Sequence, residues 1–316
     1  MGGATGIEVA DPLVYARQLV KRFGAFTAVD HIDLDVSRGE SFGFLGPNGA
    51  GKTSTMRMIS CMSPVSGGVL RVLGLDPGRD GPSIRRRIGL VPQEDTLDAE
   101  LSVRENLYVY GRYFDIPRRQ LRERIDELLD FARLTARADE LVDRLSGGMK
   151  RRLTIARALV SHPELVILDE PTTGLDPQAR HLLWERLYRL KREGVTLLLT
   201  THYMDEAEQL CDRLVVMDAG KIAAIGSPQE LIGAWSTREV VELRYRDDIT
   251  EKVAASLEGT VERMEVLPDR LLVYTDDGDS LLAELLGSSE QPETVLVRRS
   301  NLEDVFLRLT GRSLVD

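Results

Sequence analysis

Gly46-Pro47-Asn48-Gly49-Ala50-Gly51-Lys52-Thr53 fits the pattern G-x-x-x-x-G-K-[S/T] at every position, and its reading decides the fold. Gly46, Gly49 and Gly51 let the backbone turn tightly and aim N–H groups at the oxygens of a triphosphate. Lys52 adds a point charge near the β- and γ-phosphates, and the Thr53 hydroxyl can hold Mg²⁺. The flanks agree with this. Residues 40–46 read as a short buried strand, and Thr53, Ser54 and the residues up to 61 read as a helix whose N-terminus faces the phosphates. Strand, loop and helix in this order predict a nucleoside triphosphate site, to which residues 46–54 contribute.

The complementary half of such a site follows the apolar run Leu165-Val-Ile-Leu168. Asp169 comes at the carboxyl end of this buried strand, where α/β sheets bind ligands, and is placed to hold Mg²⁺ directly or through water. Glu170 is the natural general base for hydrolysis, because a nearby carboxylate can orient and deprotonate water. Between the two halves stands Leu145-Ser146-Gly147-Gly148-Met149-Lys150-Arg151-Arg152-Leu153. Ser146 is suited to cap the next helix, and Gly147 and Gly148 allow backbone N–H groups to approach an anion closely.

Around these motifs the pattern is that of an α/β protein. Residues 13–45 alternate in the manner of antiparallel strands, and residues 102–160 read as mainly helical, with Leu121, Ile125, Leu128 and Ala132 on one face. Arg119/Glu123 and Arg122/Asp126 are spaced to pair on the exposed side. The runs at 165–168 and 195–200 read as central strands joined by a crossover helix, and residues 213–225 as a hairpin. A boundary is expected near 233–237, giving a loose tail at 1–12, a nucleotide-binding domain at 13–232, a linker at 233–237 and an accessory domain at 238–316. The last reads β-α-β-β-α-β plus a final helix, a small two-layer α+β domain of ferredoxin-like kind.

Composition narrows the class. The chain has 316 residues, 42% hydrophobic and 29% charged, as expected of a globular protein with two domains. No apolar run approaches the roughly 18–20 residues that span a bilayer. The net charge of −10 is uneven: residues 238–316 hold 18 acidic and 10 basic residues, the preceding part 33 and 31. Neither part has the positive excess of a nucleic-acid binder, so no nucleic-acid partner is expected. Cys61 and Cys211 read as small buried residues of a reducing cytosol.

Taken together, the motifs in residues 13–232 resemble the ATP-binding subunit of ABC transporters. The resemblance implies the P-loop NTPase fold of ABC ATPases, with a mixed core sheet, an antiparallel β subdomain and a helical subdomain. It implies ATP and Mg²⁺ as ligands and ATP hydrolysis as the activity. It also implies a head-to-tail dimer in which Ser146, Gly147 and Gly148 complete the ATP site of a second subunit, here expected to be another copy. Gln93, in Leu90-Val-Pro-Gln93, matches the glutamine loop that reaches Mg²⁺ and senses the membrane partner. Asp176, in Gly174-Leu-Asp-Pro177, matches the loop linking the two sites, and His202 matches the switch histidine of the γ-phosphate. Phe23 occupies the position of the aromatic that stacks on adenine, and Phe26 is the competing ring.

Three stretches resemble the ABC-2 export branch: residues 103–114, Gly174-Leu-Asp-Pro-Gln-Ala-Arg-His181, and Thr201-His-Tyr-Met-Asp-Glu-Ala-Glu-Gln-Leu-Cys-Asp-Arg213. Within that branch the chain is similar to nodulation-factor exporter ATPases up to about residue 232. The ending Leu302-Glu-Asp-Val-Phe-Leu-Arg-Leu-Thr-Gly311 instead resembles the tails of daunorubicin-resistance ATPases. The resemblance implies an exporter of a drug, lipid or oligosaccharide, peripheral on the cytoplasmic face of the membrane and driving a separate ABC-2 type permease. The alternative is a soluble ABC ATPase associated with ribosomes or DNA. The former usually carries two cassettes per chain, and the latter inserts a long coiled coil where only about 116 residues separate Lys52 from Asp169. A regulatory nucleotide-binding module without turnover would not need both Glu170 and His202.

Overall fold

The computed structural model describes residues 11–245, 249–257, 259–286 and 291–311, so most of the expected tail at 1–12 lies outside the described residues. The chain divides into two compact units, Met1–Ile225 and Gly226–Asp316.

The first unit opens with strands β1 (Val14–Phe23) and β2 (Phe26–Val36), then β3 (Ser41–Leu45) and helix α1 (Lys52–Ile59). Strand β4 (Gly67–Val72), helix α2 (Pro77–Arg85) and strand β5 (Ile88–Val91) follow. Helices α3 (Val103–Arg112), α4 (Arg118–Ala132) and α5 (Gly147–Ala158) make the helical block. The unit closes with β6 (Leu165–Asp169), α6 (Pro177–Arg192), β7 (Thr196–Thr201), α7 (Met204–Leu210), β8 (Arg213–Asp218) and β9 (Lys221–Gly226). Six strands form one sheet in the order β5-β6-β7-β3-β8-β9, with β5, β6, β7, β3 and β8 parallel; β2-β1-β4 form a separate antiparallel sheet.

Burial explains the lettering. Every residue of β3 and of β7 is buried, which is why they read as continuous runs and not as alternation. Phe42 and Phe44 meet edge to face at 5.6 Å within β3, and Phe44 joins Met56 and Ile59 of α1 and Val215 of β8 in one core. That core continues into the antiparallel sheet through Val14, Leu19 and Ile32. In the helical block Leu121, Ile125 and Leu128 are buried as the spacing predicts, each contributing roughly 1.5–3 kcal/mol of transfer free energy. Arg119 pairs with Glu123 at 3.4 Å, but Asp126 does not take Arg122. Arg104 of α3 reaches it at 2.7 Å, because tertiary packing brings a cation from another helix closer than the i,i+4 neighbour.

The second unit contains α8 (Pro228–Trp235), β10 (Glu239–Arg244), α9 (Thr250–Leu257), β11 (Arg263–Leu267), β12 (Arg270–Thr275), α10 (Gly278–Leu286), β13 (Thr294–Arg299) and α11 (Leu302–Thr310). Its sheet runs β11-β12-β10-β13, antiparallel throughout, the ferredoxin-like order expected from the sequence. One face buries Val241, Leu243, Leu271 and Val273 with Val253 of α9 and Leu285 of α10; the other buries Val240, Leu272 and Tyr274 with Leu307 of α11. Asp304, almost wholly buried, receives two bonds from Arg298 at 2.7 and 2.9 Å and one from the Tyr274 hydroxyl at 3.2 Å, so its charge is paired.

The division falls earlier than the expected linker. Ser227 and Glu230 form a capping box that starts α8, and α8 continues through residues 233–235 to pack on α11, where Arg308 donates to the Trp235 carbonyl at 3.1 Å. Helical continuity and this packing assign residues 228–235 to the second unit, where the sequence suggested the end of one domain and a linker.

Candidate nucleotide site

The strand order alone gathers the motifs. Strands β5, β6, β7 and β3 are neighbours and parallel, so Gln93, Asp169, His202 and the loop at 46–53 all emerge at one carboxyl edge.

At Gly46 a Cβ would lie 2.3 Å from the Met217 carbonyl oxygen, and at Gly51, with φ +102°, it would meet the Ala28 oxygen at 2.5 Å. Only glycine fits a loop pressed so closely between β8 and the β1–β2 hairpin. Ala50 is buried, while Pro47, Asn48 and Gly49 form the open rim. Gly51 caps α1, and Thr55 N bonds back to its oxygen at 3.0 Å, leaving the first N–H groups of the helix at the loop. Lys52 is buried, and its Nζ donates to the Gly46 and Pro47 oxygens at 2.6 and 3.1 Å. Burial lowers its pKa, and the nearby Glu170 and Asp169 pull it back up.

Glu170 is where the separate motifs meet. Its Oε2 accepts from Gln93 Nε2 at 3.1 Å and Thr173 Oγ1 at 3.2 Å. Its Oε1 lies 3.9 Å from Lys52 Nζ and 3.3 Å from His202 Nδ1, the last contact lacking the alignment of a hydrogen bond. The backbone of Glu170 takes the left-handed φ of +44°, a conformation that persists in a non-glycine residue only under surrounding restraint.

Part of that restraint is Thr200, the last residue of the apolar run at 195–200. Its hydroxyl accepts from Glu170 N at 2.9 Å and donates to Asp169 Oδ1 at 2.6 Å. The register pairs Asp169 with Thr200 directly, so one buried hydroxyl aligns both acids. The legible signal was a hydroxyl at a strand position otherwise held by leucine.

The expected metal ligands present hard oxygen donors. Thr53 Oγ1 lies 3.4 Å from Asp169 Oδ1, and a Gln93 side chain that donates through Nε2 keeps its oxygen as acceptor. A threonine hydroxyl, a carboxylate and an amide oxygen suit Mg²⁺, which usually takes one or two carboxylates and completes its shell with phosphate and water.

The other predicted residues lie in their own local frames. Ser146 caps α5, accepting from Met149 N at 3.3 Å, and Ser146 and Gly147 are exposed. A Cβ on Gly148 would sit 3.1 Å from that of Ala179, so the start of α5 adjoins the start of α6. Asp176 caps α6 through Ala179 N at 2.9 Å. Phe23 and Phe26 face each other in register at the exposed tip of the β1–β2 hairpin, 53% and 63% accessible, with the Lys21 ammonium 4.8 Å over the Phe23 ring. Cys61 and Cys211 are free thiols, half-buried and buried.

A second buried polar residue that carries no local motif is Glu206, wholly buried on α7 with Thr172, Thr201, Trp184 and Arg180 around it. Burial pushes its carboxyl above the usual 4.5, the surrounding donors only partly opposing. The folded chain therefore holds a proton that the unfolded chain releases, and stability falls as pH rises past 4.5. Thermal denaturation between pH 5 and 8, about the range of maximal protein stability, should show a loss with rising pH that Glu206→Gln reduces. Equal slopes in both proteins would refute the proton's role.

Comparison with known proteins gives the family. Residues 29–173 match the family described as ABC transporter, and residues 250–311 match the nodulation factor export protein NodI, C-terminal domain. The Nod factor export ATP-binding protein I of Cupriavidus metallidurans is 49% identical over 304 residues, covering 96% of this chain and 99% of the relative. A solved ATP-binding subunit of an ABC transporter is 31% identical, with a TM-score of 0.64 over 70% of this chain and 92% of its own. A second cassette, solved as a dimer in a post-hydrolysis state with ADP and Pi, is 25% identical with a TM-score of 0.62, covering 68% of this chain and 98% of its own. The expectation that the nodulation-exporter likeness stops near residue 232 is thus corrected. The match over residues 250–311 falls on a unit whose buried positions, such as Val253, Leu271 and Val273, are scattered along the chain and form no contiguous chemical motif. With so similar a relative aligned over nearly its whole length, the chain belongs to the ABC transporter family of ATP-binding subunits.

Proposed function

We propose that the chain is the ATP-binding and ATP-hydrolysing subunit of an ABC exporter, and that two copies close head to tail on ATP to drive a separate membrane-spanning permease. The observation that carries this is the convergence on Glu170 of Lys52, Gln93 and His202, three residues from three motifs. Lys52 and the loop N–H groups bind the phosphates, and Thr53, Asp169 and Gln93 would hold Mg²⁺. When bound, Mg²⁺ neutralises charge on the transferring phosphoryl group. Glu170 orients water and takes its proton, and His202 holds the γ-phosphate side. Ser146, Gly147 and Gly148 close the site of the opposite copy, with Asp176 at the junction; the exposure of Ser146, Gly147 and Asp176 fits that role. Phe23 stacks on adenine.

No helix among the described residues is long and apolar enough to cross a membrane, in keeping with a peripheral subunit on the cytoplasmic face whose permease is another chain. A groove of about 430 Å³ between α2, β5 and α3, with Met62, Leu90, Tyr110 and Tyr113 in its lining, offers that partner an apolar seat. The relatives are named for Nod factor export, so a cargo of that type comes first among the drug, lipid and oligosaccharide classes. The accessory unit would steady or regulate the subunit pair.

Purified chain supplied with ATP should turn over only with a divalent cation, and chelation with EDTA should take hydrolysis to background. Steady hydrolysis in EDTA would remove the metal assignment, and absence of turnover with Mg²⁺ and permease present would remove the hydrolytic one.

A further inference from the structure

Arg151 stands on the signature helix, five residues after Ser146, and only 5% of it is exposed. Its guanidinium donates to five backbone oxygens. Nε reaches the Pro171 oxygen at 2.8 Å, and Nη2 reaches those of Asp169 and Glu170 at 3.0 and 3.2 Å. Nη1 reaches the oxygens of Pro92 at 2.5 Å and Gln93 at 3.4 Å. These carbonyls lie at the carboxyl ends of β5 and β6 and just beyond, where the ladder gives out and buried oxygens need another donor. A planar fork with five N–H groups can serve both segments at once; an ammonium is a single point.

The consequence centres on Glu170. Thr200 Oγ1 receives the Glu170 N–H, while Arg151 binds the Glu170 oxygen, so the left-handed residue is held from both sides. The same guanidinium holds the Gln93 carbonyl, and Gln93 in turn donates to the Glu170 carboxylate. Arg151 is also joined to Ser146 by continuous helix, about 7.5 Å of rise, which transmits displacement with little bending. The neighbouring Arg152 serves a different purpose, bonding the Ala132 oxygen at the end of α4.

We propose that Arg151 is a positioning residue that locks the signature helix, the Gln93 loop and the backbone of Glu170 into one body, so that engagement of Ser146–Gly148 by the opposite copy sets the hydrolytic geometry of the subunit's own site. This rests on the two-copy ATPase reading above.

The test compares full-length wild type, Arg151→Lys and Arg151→Met with the permease present, measuring kcat, KM for ATP, ATP affinity and thermal midpoint. Displacing Glu170 without removing it should lower kcat about ten- to hundredfold in Arg151→Met, while ATP affinity stays within about threefold. Arg151→Lys should recover only part of the loss. In a Gln93→Ala background Arg151→Met should cost markedly less than in wild type, because half of the linkage is already gone. Unchanged kcat, equal losses of kcat, affinity and thermal midpoint, or additive effects with Gln93→Ala would each overturn the proposal. So would failure of both variants to fold, which would make Arg151 a folding residue alone. Absence of turnover in wild type would instead count against the ATPase reading itself.

Discussion

Glu170→Gln is expected to bind ATP as the wild-type chain does and to hydrolyse it about a hundred- to ten-thousandfold more slowly. The amide is nearly isosteric and can still occupy the space between Gln93, Thr173, Lys52 and His202. It cannot take a proton from water. Lys52 and the glycine loop, proposed above to bind the phosphates, are untouched. The signature of this variant is therefore retained nucleotide affinity and ATP-dependent dimers that persist because they are not resolved by hydrolysis. Rapid-quench turnover beside equilibrium ATP binding checks it. Turnover within a few-fold of wild type would mean that another group activates water, and loss of ATP binding would mean that Glu170 serves the ground state.

Mixing two inactive variants is expected to restore activity. In a head-to-tail pair, Ser146→Arg damages the partner's site and Lys52→Ala damages the subunit's own. Each homodimer then has two broken sites. A mixed dimer concentrates both defects in one site and leaves the other intact, so an equimolar mixture should recover about a quarter of wild-type hydrolysis, half of the dimers each having one working site of two. The geometry within one subunit favours this outcome, since Ser146 and Gly147 lie open at the helix start. If each subunit instead used its own signature, no mixture would rise above its inactive components. Tagged co-expression with purification of the mixed dimer measures this directly.

The phosphate loop was legible because its function is a property of consecutive backbone: glycines at 46, 49 and 51, then lysine and a hydroxyl. The same holds for α5, whose capping serine and two glycines announce a helix N-terminus, and for β6, whose apolar run ends in two acids. The ferredoxin-like order of the second unit could also be read, because alternating strands and amphipathic helices have different periods. The boundary between units was not legible. The capping box of Ser227 and Glu230 reads equally well at the end of one domain or the start of another, and only the packing of residues 228–235 on α11 decides.

Thr200, Glu206 and Arg151 escaped the sequence for a shared reason. A threonine in a run of leucines, a glutamate on a polar helix and an arginine among basic residues carry no local mark of burial. Their roles arise from what the fold brings to them. Thr200 meets Asp169 through the β6–β7 register, and Arg151 meets carbonyls 18 to 59 residues away.

By itself, then, the sequence determined which chemical groups this protein has and that they are those of an ABC ATPase, since each motif is a short stretch whose backbone and side chains act locally. The tertiary structure decided that Gln93, Lys52, Thr173 and His202 gather on one carboxylate and that Thr200 and Arg151 hold its backbone from both sides. The physical reason is strand order: with β5, β6, β7 and β3 side by side and parallel, residues far apart in the chain end at a single edge, and hydrogen bonds across that edge depend on the sheet as a whole.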